Sequence, residues 1–546
     1  MFTRSQDVRH KIRERYQLLG SESLWKSLDE VDVLGCQDGT SFGHTGCVNA
    51  LSWTPDGELL LSSGDDCRLL VWKHDPSAPP SSRPGSLNLR CVTAIRTGHS
   101  DNVFSAHLLS THSSLVATCA RDRQVRVFDL ERAGGTSTKD ISFGVGEVGA
   151  SDAMVYLLRC HTRQVKRVVT ENSPSVFLSV AGDRTVRQHD LRSPHSCPHS
   201  CPPPLVKVTH ALNALALSSL TPWYFAVAGE DAHGHLFDRR MVGRNLQEEQ
   251  GLGRNDELVT CVARFGREAF REQADPNPHV TGARMAQTNG HELLLSYSGD
   301  AVYQYSIYDS PTIRRATSII PPNDTSGVSG ARQSSPKSYS SHTSEIEEAL
   351  TLESLLAEHM DTSDDEDEES GDSEQERDDS ESEDEESNSD GSEGVGNWLR
   401  RPIIMPAKEY RGAANVRTVK DVNFLGPNDE FVASGSDDGN WFLWSKKSGS
   451  LLGIWEGDGE VVNMVEGHPF LPIVATSGID STIKIFEPTP NVTKSASKMY
   501  QVQTILERNE RDNTNPPGFN IIAALQLLQA RGQLPDIDGG PECQTQ

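Results

Sequence analysis

Residues 62–72 read SSGDDCRLLVW, and residues 434–444 read SGSDDGNWFLW. Both stretches begin with small residues, continue through an aspartate in a turn, and end in an alternating strand that closes on an aromatic residue. The same unit, with some substitutions at its last position, recurs at residues 118–128, 179–189, 227–237, 476–486 and, one residue shorter, 296–305. Seven copies of one unit predict a repeat fold, in which each copy forms one sheet that is packed between its neighbours.

The spacing inside the unit is regular. In six copies the aspartate stands six residues before the terminal position, as in Asp66 and Trp72, Asp122 and Phe128, Asp183 and His189, Asp231 and Phe237, Asp438 and Trp444, and Asp480 and Phe486. Aspartate suits a tight turn because its carboxylate accepts hydrogen bonds from nearby backbone N–H groups.

A histidine precedes four of the aspartates by 21 to 23 residues. The four pairs are His44 and Asp66, His99 and Asp122, His161 and Asp183, and His210 and Asp231. This interval fits three strands of a four-stranded sheet and predicts that each histidine donates to the aspartate, which would connect two loops. Four copies at nearly one spacing favour a structural role over general-base chemistry. The fifth and sixth units lack the histidine, and we expect their sheets to be the least rigid.

The Gly-His start and the Asp-to-Trp ending resemble the WD-repeat family over residues 31–310 and 408–488. The resemblance implies an all-β fold, a seven-bladed β-propeller. Residues 487–490, EPTP, cannot continue as a central strand, so the last blade lacks its outer strand. We expect residues 31–42 to supply it and close the ring, because an open stack would leave pairing edges exposed.

The chain divides into an N-terminal helical segment, five blades, a disordered acidic insert, two blades and a C-terminal helical tail. These segments cover residues 1–30, 31–308, 309–400, 401–490 and 491–546. Helical periodicity predicts a helix over residues 7–19, which would pack on the propeller or bind a partner. Two more helices are predicted, a short one within residues 344–360 and a terminal one over 516–531.

The charge is unevenly distributed. Residues 361–393 hold 19 acidic residues and one basic residue, so they carry −18 of the total charge of −27 and leave −9 for the rest. This segment is predicted to be a disordered spacer or a site for basic partners. The absence of a broad basic face disfavours nucleic-acid binding. No apolar run is long enough to cross a bilayer, and no secretory signal is evident, so we expect a location in the nucleus, the cytoplasm or both.

Motifs for enzymatic chemistry are missing. No phosphate loop, nucleophile elbow or zinc-protease helix occurs, so the sequence predicts neither an enzyme nor a cofactor. His195, Cys197, His199 and Cys201 have ligand types that suit zinc, but their spacing departs from the common structural pairs. An exposed loop that holds no metal is the interpretation we adopt from sequence alone.

Two blade ends carry a further motif. Residues 183–192 read DRTVRQHDLR and residues 231–240 read DAHGHLFDRR. Asp190 with Arg192, and Asp238 with Arg240, resemble the Asp-x-Arg boxes of WD-repeat substrate receptors for cullin-4–RING ubiquitin ligases, although neither box is complete. The resemblance implies that both arginines dock on the adaptor protein of the ligase, for which a planar guanidinium is suited. The alternative is a bond from each arginine to its own blade.

Four longer stretches also resemble cullin-4-associated factors whose propeller is split by an insert. They are residues 43–53, 98–109, 419–444 and 461–480. The resemblance implies a non-enzymatic receptor that presents a client protein, unnamed by the sequence, for ubiquitination. The alternative is a scaffold in chromatin or ribosome assembly, whose acidic insert binds basic partners.

Overall fold

The structure is a computed structural model. It describes residues 18–35, 42–75, 87–135, 147–193, 195, 197, 200–241, 261–268, 279–309, 403–489 and 496–514. The acidic insert, His199, the helices predicted within 344–360 and over 516–531, and all but the last two residues of the helix predicted over 7–19 lie outside the described residues.

The described chain consists mainly of short strands. In chain order they are β1 Leu28–Leu34, β2 Val48–Trp53, β3 Leu59–Gly64, β4 Arg68–His74, β5 Leu89–Arg96, β6 Val103–Leu108, β7 Leu115–Ala120, β8 Val125–Asp129, β9 Glu147–Val148, β10 Met154–Leu158, β11 Val165–Thr170, β12 Val176–Ala181, β13 Thr185–Asp190, β14 Val206–Lys207, β15 Leu212–Leu217, β16 Tyr224–Gly229, β17 Gly234–Asp238, β18 Ala263–Phe265, β19 Val280–Met285, β20 Glu292–Tyr297, β21 Val302–Ser306, β22 Ile403–Ile404, β23 Lys408–Tyr410, β24 Val422–Leu425, β25 Phe431–Gly435, β26 Asn440–Ser445, β27 Leu451–Glu456, β28 Val462–Gly467, β29 Val474–Gly478 and β30 Ile483–Pro488.

The α-helices among these residues are short. They are α1 Glu22–Trp25, α2 Leu130–Gly135, α3 Ala150–Ala153 and α4 Val502–Thr514. None of the helices in the described part of the chain has the length and apolar character to span a membrane.

The strands form seven sheets. Their strand groups are β2–β5, β6–β8 with β10, β11–β14, β15–β18, β19–β21 with β23, β24–β27, and β28–β30 with β1, while β9 and β22 add parallel strands to the first and fourth sheets. The first strand of each sheet contacts the first strand of the next, and β2 contacts β28, so the seven sheets form a closed ring. The predicted seven-bladed propeller is therefore confirmed.

Burial explains why these segments are strands. The second strand of each blade lies inside the sheet with neighbouring blades on both faces, and β12, VFLSVA, is buried along its whole length. Such a strand is apolar without alternation, because neither of its faces meets water. The core lies between the blades: Leu61 of the first blade packs in one cluster with Val116 and Phe128 of the second.

The N-terminal strand closes the ring. β1 pairs antiparallel with β30, from Leu28 opposite Pro488 to Leu34 opposite Ile483. The indole Nε1 of Trp455 donates to the carbonyl oxygen of Leu28 at 2.8 Å, which connects β1 to the sixth blade as well. The closing strand begins at residue 28, before the predicted start at residue 31, and residues 36–41 lie outside the described part.

Two segments fall into other blades than the sequence boundaries suggest. β22 and β23, which belong to the segment 401–490 assigned to blades six and seven, complete the fourth and fifth sheets. The fifth blade thus takes its outer strand from beyond the insert. Helix α4, within the predicted tail, ends at residue 514, before the helix that was predicted from residue 516.

Because adjacent strands of a blade run in opposite directions, the chain turns alternately at two faces. The upper face carries the turns between second and third strands and the connections that enter each first strand; the lower face carries the other connections. In the first blade, Trp72 Nε1 donates to Ser62 Oγ at 2.8 Å, Ser62 lies 2.8 Å from His44 Nε2, and His44 Nδ1 lies 2.9 Å from Asp66. The Asp66 carboxylate can only accept, so His44 Nδ1 donates to it; Nε2 of the neutral imidazole then accepts from the Ser62 hydroxyl, which accepts from the indole N–H of Trp72.

The second blade repeats the histidine–aspartate bond without the tryptophan. His99 Nδ1 lies 2.9 Å from Asp122, and its Nε2 lies 2.9 Å from Thr118 Oγ1. Burial opposes the ionisation of Asp122, but the interaction with His99 and the bonds from the backbone N–H groups of Gln124 and Ser100 together outweigh it and lower the pKa of the carboxyl group. Burial also lowers the pKa of His99. The pair is therefore a neutral imidazole that donates to a carboxylate.

In the third blade, a histidine replaces the tryptophan. His161 Nδ1 lies 2.9 Å from Asp183, and Ser179 Oγ lies 2.7 Å both from His161 Nε2 and from His189 Nε2. Since the serine hydroxyl donates to His161, His189 must donate to the serine, as Trp72 does in the first blade. Burial, together with the charges of His161 and Arg187, lowers the pKa of His189 to about 3.

The fourth pair differs from the prediction. His210, Asp231 and His235 place one ligand atom each within 4.8 Å of one another, but the described contacts contain no hydrogen bond between His210 and Asp231. Val227 stands where the first blade has Ser62, so no hydroxyl is available to orient the imidazole of His210.

Other groups replace the missing histidine in the fifth and seventh blades. In the fifth, the buried Arg267 donates from Nη1 to Asp300 at 2.8 Å. In the seventh, Lys484 forms an ion pair with the turn residue Asp480.

In the sixth blade the replacement comes from helix α4. Asn509, which is fully buried, donates from Nδ2 to Asp438 at 3.1 Å, and Arg508 donates to the same carboxylate at 2.6 Å. Each blade that lacks the histidine therefore still has a donor on its turn aspartate. The expected lower rigidity of the blades beside the insert stays a prediction.

The closing strand can be tested by truncation. A chain without residues 1–34 loses the buried Leu28 and Leu34 and exposes the edge of β30, so we expect a melting temperature lower by roughly 5 °C or more and concentration-dependent association. A chain without residues 1–17 keeps β1 and is the matched control. Equal melting temperatures and equal elution volumes for the two truncations would contradict the role of β1.

The buried His189 predicts a specific dependence on pH. Its pKa is lowered on folding, so the unfolded chain binds one more proton below pH 6.5, and stability is lost as the pH falls from 6.5 toward 3. Between pH 7.5 and pH 5, the His189→Phe variant should lose on the order of 2 kcal/mol less unfolding free energy than the wild type. Urea titrations at the two pH values measure this difference, with the exposed His112→Phe as the control. An equal loss of unfolding free energy in His189→Phe and in the wild type would contradict the lowered pKa of His189.

Candidate docking surface

The two predicted arginines share one face. Arg192 follows β13, the third strand of the third blade, and Arg240 follows β17, the third strand of the fourth. Both lie on the lower face, opposite the histidine–aspartate networks, and their blades are neighbours in the ring.

Arg192 forms a two-point bond with its own blade. Its Nε donates to Asp190 Oδ1 at 2.9 Å and its Nη2 to Asp190 Oδ2 at 2.8 Å. The backbone N–H of Arg192 also donates to Asp190, at 3.0 Å, which explains the two-residue spacing of the motif. These bonds lower the pKa of the Asp190 carboxyl. The arginine side chain nevertheless remains 71% exposed.

Arg240 repeats this geometry with an added aromatic contact. Its Nε donates to Asp238 Oδ1 at 3.0 Å and its Nη2 to Asp238 Oδ2 at 2.6 Å. The guanidinium carbon lies 4.7 Å from the ring centre of Trp223, within the range of a cation–π contact. Its bond to Asp238 lowers the pKa of that carboxyl, and 58% of the arginine side chain is exposed.

The intramolecular bond given as the alternative is thus present in both boxes. It occupies one edge of each guanidinium and fixes its direction. The exposed remainder is still accessible to another protein. Docking of Arg192 and Arg240 stays a prediction.

Sequence reasoning missed the role of Arg239. This residue is 16% exposed, forms an ion pair with Glu171, and donates from Nη2 to Gln188 at 2.6 Å. It therefore connects the fourth blade to the third, while the adjacent Arg240 faces outward. Nothing in the sequence separates these two consecutive arginines, because their distinction depends on Glu171, far away in the chain.

Exposed apolar side chains accompany the arginines. Leu220, Tyr308 and Phe470 are 59%, 62% and 49% exposed, and all three lie in lower-face connections. Leu220 belongs to the same blade as Arg240, and Tyr308 to the next. Arginine beside large apolar side chains is typical of protein interfaces.

The structure adds one residue to the possible zinc ligands. His195, Cys197 and Cys201 lie together, and Cys160, from the end of the second blade, joins them. Cys160 has no recognisable motif around it and lies 35 residues before His195, so no sequence pattern indicated it as a ligand. His199 lies outside the described residues.

The sequence model of the WD domain, G-beta repeat, matches residues 35–73, 90–129 and 406–445. The second and third of these matches begin at the outer strand of one sheet, β5 or β23, and run through the first three strands of the next. A sequence repeat is therefore offset by one strand from a sheet, so each of these two repeats contributes to two neighbouring sheets.

Several curated proteins are similar to the chain. Protein ALTERED SEED GERMINATION 2 of Arabidopsis thaliana is 26% identical over an alignment that covers 97% of the chain and 96% of that protein. WD repeat protein iqw1 of Schizosaccharomyces pombe and DDB1- and CUL4-associated factor 6 of Mus musculus are each 30% identical over 49% of the chain.

The chain spans only 32% of the yeast protein and 27% of the mouse protein. The matched repeats, the seven sheets and the closed ring together show that the chain carries WD repeats and folds into a seven-bladed β-propeller.

Proposed function

We propose that this propeller is a non-enzymatic substrate receptor of a cullin-4–RING ubiquitin ligase. The observation that supports the proposal most is the pair of exposed arginine forks, Arg192 and Arg240, on adjacent blades of one face. The mouse relative supports it independently, since its name associates it with DDB1 and CUL4.

The geometry of the forks suits docking. Asp190 and Asp238 hold the two guanidinium groups in place before a partner arrives, so less side-chain freedom is lost on binding. The aspartates also offset much of the arginine charge. The adaptor would therefore be recognised through directed hydrogen bonds and stacking more than through net charge, together with the exposed apolar Leu220 and Tyr308 of the same face.

The role that follows is one of positioning. The lower face would hold the adaptor, another surface would hold the client, and other subunits would transfer ubiquitin. The receptor raises the effective concentration of the client at the ligase and forms no bonds itself.

A second candidate function is a scaffold for basic partners. It is favoured by the charge of residues 361–393, which is −18. Here the acidic segment, not the arginine pair, would provide the affinity, and binding would weaken steeply as salt screens the charges.

We expect the double variant Arg192→Ala with Arg240→Ala to bind immobilised DDB1 at least about tenfold more weakly than wild type, because interface arginines often dominate binding energy. The control is Arg123→Ala with Arg163→Ala, two exposed arginines on the upper face. Both pairs should keep the melting temperature of the wild type, since their side chains lie at the surface. Surface plasmon resonance measures the affinities, and undiminished binding by the first pair would refute the docking proposal.

Deletion of residues 361–393 separates the two candidate functions. For a ligase receptor, the deletion should leave the affinity for DDB1 unchanged, because the arginine pair lies elsewhere in the chain. For a scaffold, the deletion should abolish capture of basic partners while the arginine variant keeps it. Pull-down with both variants at low and at physiological salt, read by mass spectrometry, distinguishes these outcomes.

A further inference from the structure

The third blade has an unusual outer edge. Its outer strand, β14, spans two residues, whereas β5 of the first blade spans eight. The chain from Leu191 to Leu205, of which residues 191–193, 195, 197 and 200–205 are described, contains several prolines. Strand pairing in β14 is limited to Thr185 with Lys207 and Val186 with Val206, so the segment before it, here called the edge loop, is joined to the sheet by few backbone bonds, which lie at its two ends.

Four metal-binding side chains meet where the edge loop passes the second blade. Cys160 follows β10 and is buried; His195, Cys197 and Cys201 of the edge loop are half-buried. The Sγ atoms of Cys160 and Cys197 lie 3.7 Å apart. His195 Nε2 lies 3.1 Å from the first sulfur and 3.4 Å from the second, and Cys201 Sγ lies within 4.8 Å of all three atoms.

These distances fit a tetrahedral centre. With zinc–sulfur bonds of about 2.3 Å and zinc–nitrogen bonds of about 2.0 Å, tetrahedral angles place two sulfurs about 3.8 Å apart and a sulfur and a nitrogen about 3.5 Å apart. A disulfide would need sulfurs about 2 Å apart, so the separation of 3.7 Å between Cys160 and Cys197 does not describe one. The ligand atoms therefore converge on a common point rather than pairing off.

From this convergence we propose that Cys160, His195, Cys197 and Cys201 form a structural zinc site that fastens the edge loop to the second blade. Three thiolates and an imidazole are the soft and borderline ligands that zinc prefers, and the set has no carboxylate that would suit calcium or magnesium. Four protein ligands fill the coordination of zinc and leave no open position, so the role is structural and not catalytic.

Neighbouring groups fit this assignment. The backbone N–H of Arg159 points at Cys197 Sγ, 3.2 Å away, and N–H donors of this kind stabilise metal-bound thiolates. Arg187 donates to the carbonyl of Pro202 at 2.8 Å, which brings a positive charge to the same loop. A centre of one Zn²⁺ and three thiolates carries a net charge of −1, which this cation partly compensates.

The binding step is balanced without any redox partner. Zn²⁺ forms three bonds to sulfur and one to His195 Nε2, while the three thiols release their protons to the solvent. The imidazole binds in its neutral form.

The first experiment measures metal in the full-length chain, purified under reducing conditions without chelators. Inductively coupled plasma mass spectrometry should find about one zinc ion per chain in the wild type. Cys201→Ser and His195→Gln, both in the half-buried edge loop, should lose most of it, while Cys67→Ser, a half-buried thiol elsewhere in the ring, should retain it. Zinc retained by both ligand variants would overturn the site.

A second experiment covers the case in which a variant fails to fold, because it uses the wild-type chain. Zinc is removed with a chelator and replaced by Co²⁺, whose absorption spectrum reports tetrahedral geometry and thiolate ligation. We expect strong visible bands with sulfur-to-cobalt charge transfer, and a melting temperature that falls on chelation and recovers with metal. A chain with reduced thiols that binds no cobalt, or a Cys160–Cys197 disulfide found by peptide mapping, would refute the proposal.

Discussion

The ring depends on one shared sheet, in which the N-terminal strand β1 pairs with β30, the last strand of the propeller. Each blade packs its sheet against its two neighbours, while ion pairs of Arg167 with Asp421 and of Arg284 with Glu466 join blades that are not adjacent. The stack must still close to cover its last edges. β30 ends at Pro488, and the strand that covers it comes from residues 28–34. Trp25, 1% exposed, then packs on Phe431 of the sixth blade, so the closing strand is held against two blades at once.

A second constraint acts at the upper face, where the turn aspartate of each blade is partly or almost wholly removed from water. A carboxylate that is partly removed from water needs donors, and leaving it without them costs more than the bond itself contributes. Histidine meets this need in three blades through a direct bond, Arg267 meets it in the fifth and Asn509 of helix α4 in the sixth. The requirement is therefore for a donor at a fixed place, and the residue type is free to vary. This explains why the repeat tolerates the loss of its histidine while keeping its aspartate.

The contrast between a constant aspartate and a variable donor also explains which features could be predicted from the sequence. The repeat of small residues, aspartate and strand lies within about ten consecutive residues, so the sequence was sufficient to locate seven sheets, and the EPTP ending pointed to a strand borrowed from the start of the chain. The donors that replace histidine stand at unrelated distances from their aspartates, from four residues for Lys484 to 71 for Asn509, and share no type, so no periodicity reveals them. Residues 408–410 were assigned to the wrong side of a blade boundary for a related reason, because their partner β21 lies across the insert. Cys160 and Arg239 were missed because their partners are defined by the ring and not by neighbours in sequence.

On the lower face, the position of Arg192 depends both on its own strand and on the edge loop that follows it. Arg192 stands at the point where β13 ends and the edge loop begins, and Leu191 beside it is buried with Cys160 in one cluster. The bond to Asp190 fixes the guanidinium relative to its strand, but the segment that follows has almost no backbone pairing to hold it beside the blade. An interface that uses Arg192 needs the edge loop in one position, since ordering a mobile loop beside the interface would raise the entropic cost of binding. A zinc centre three residues beyond Arg192 would satisfy this need at the edge where the sheet itself does not. The two proposals are independent in their evidence, but they require the same thing of the third blade, which is a rigid outer edge.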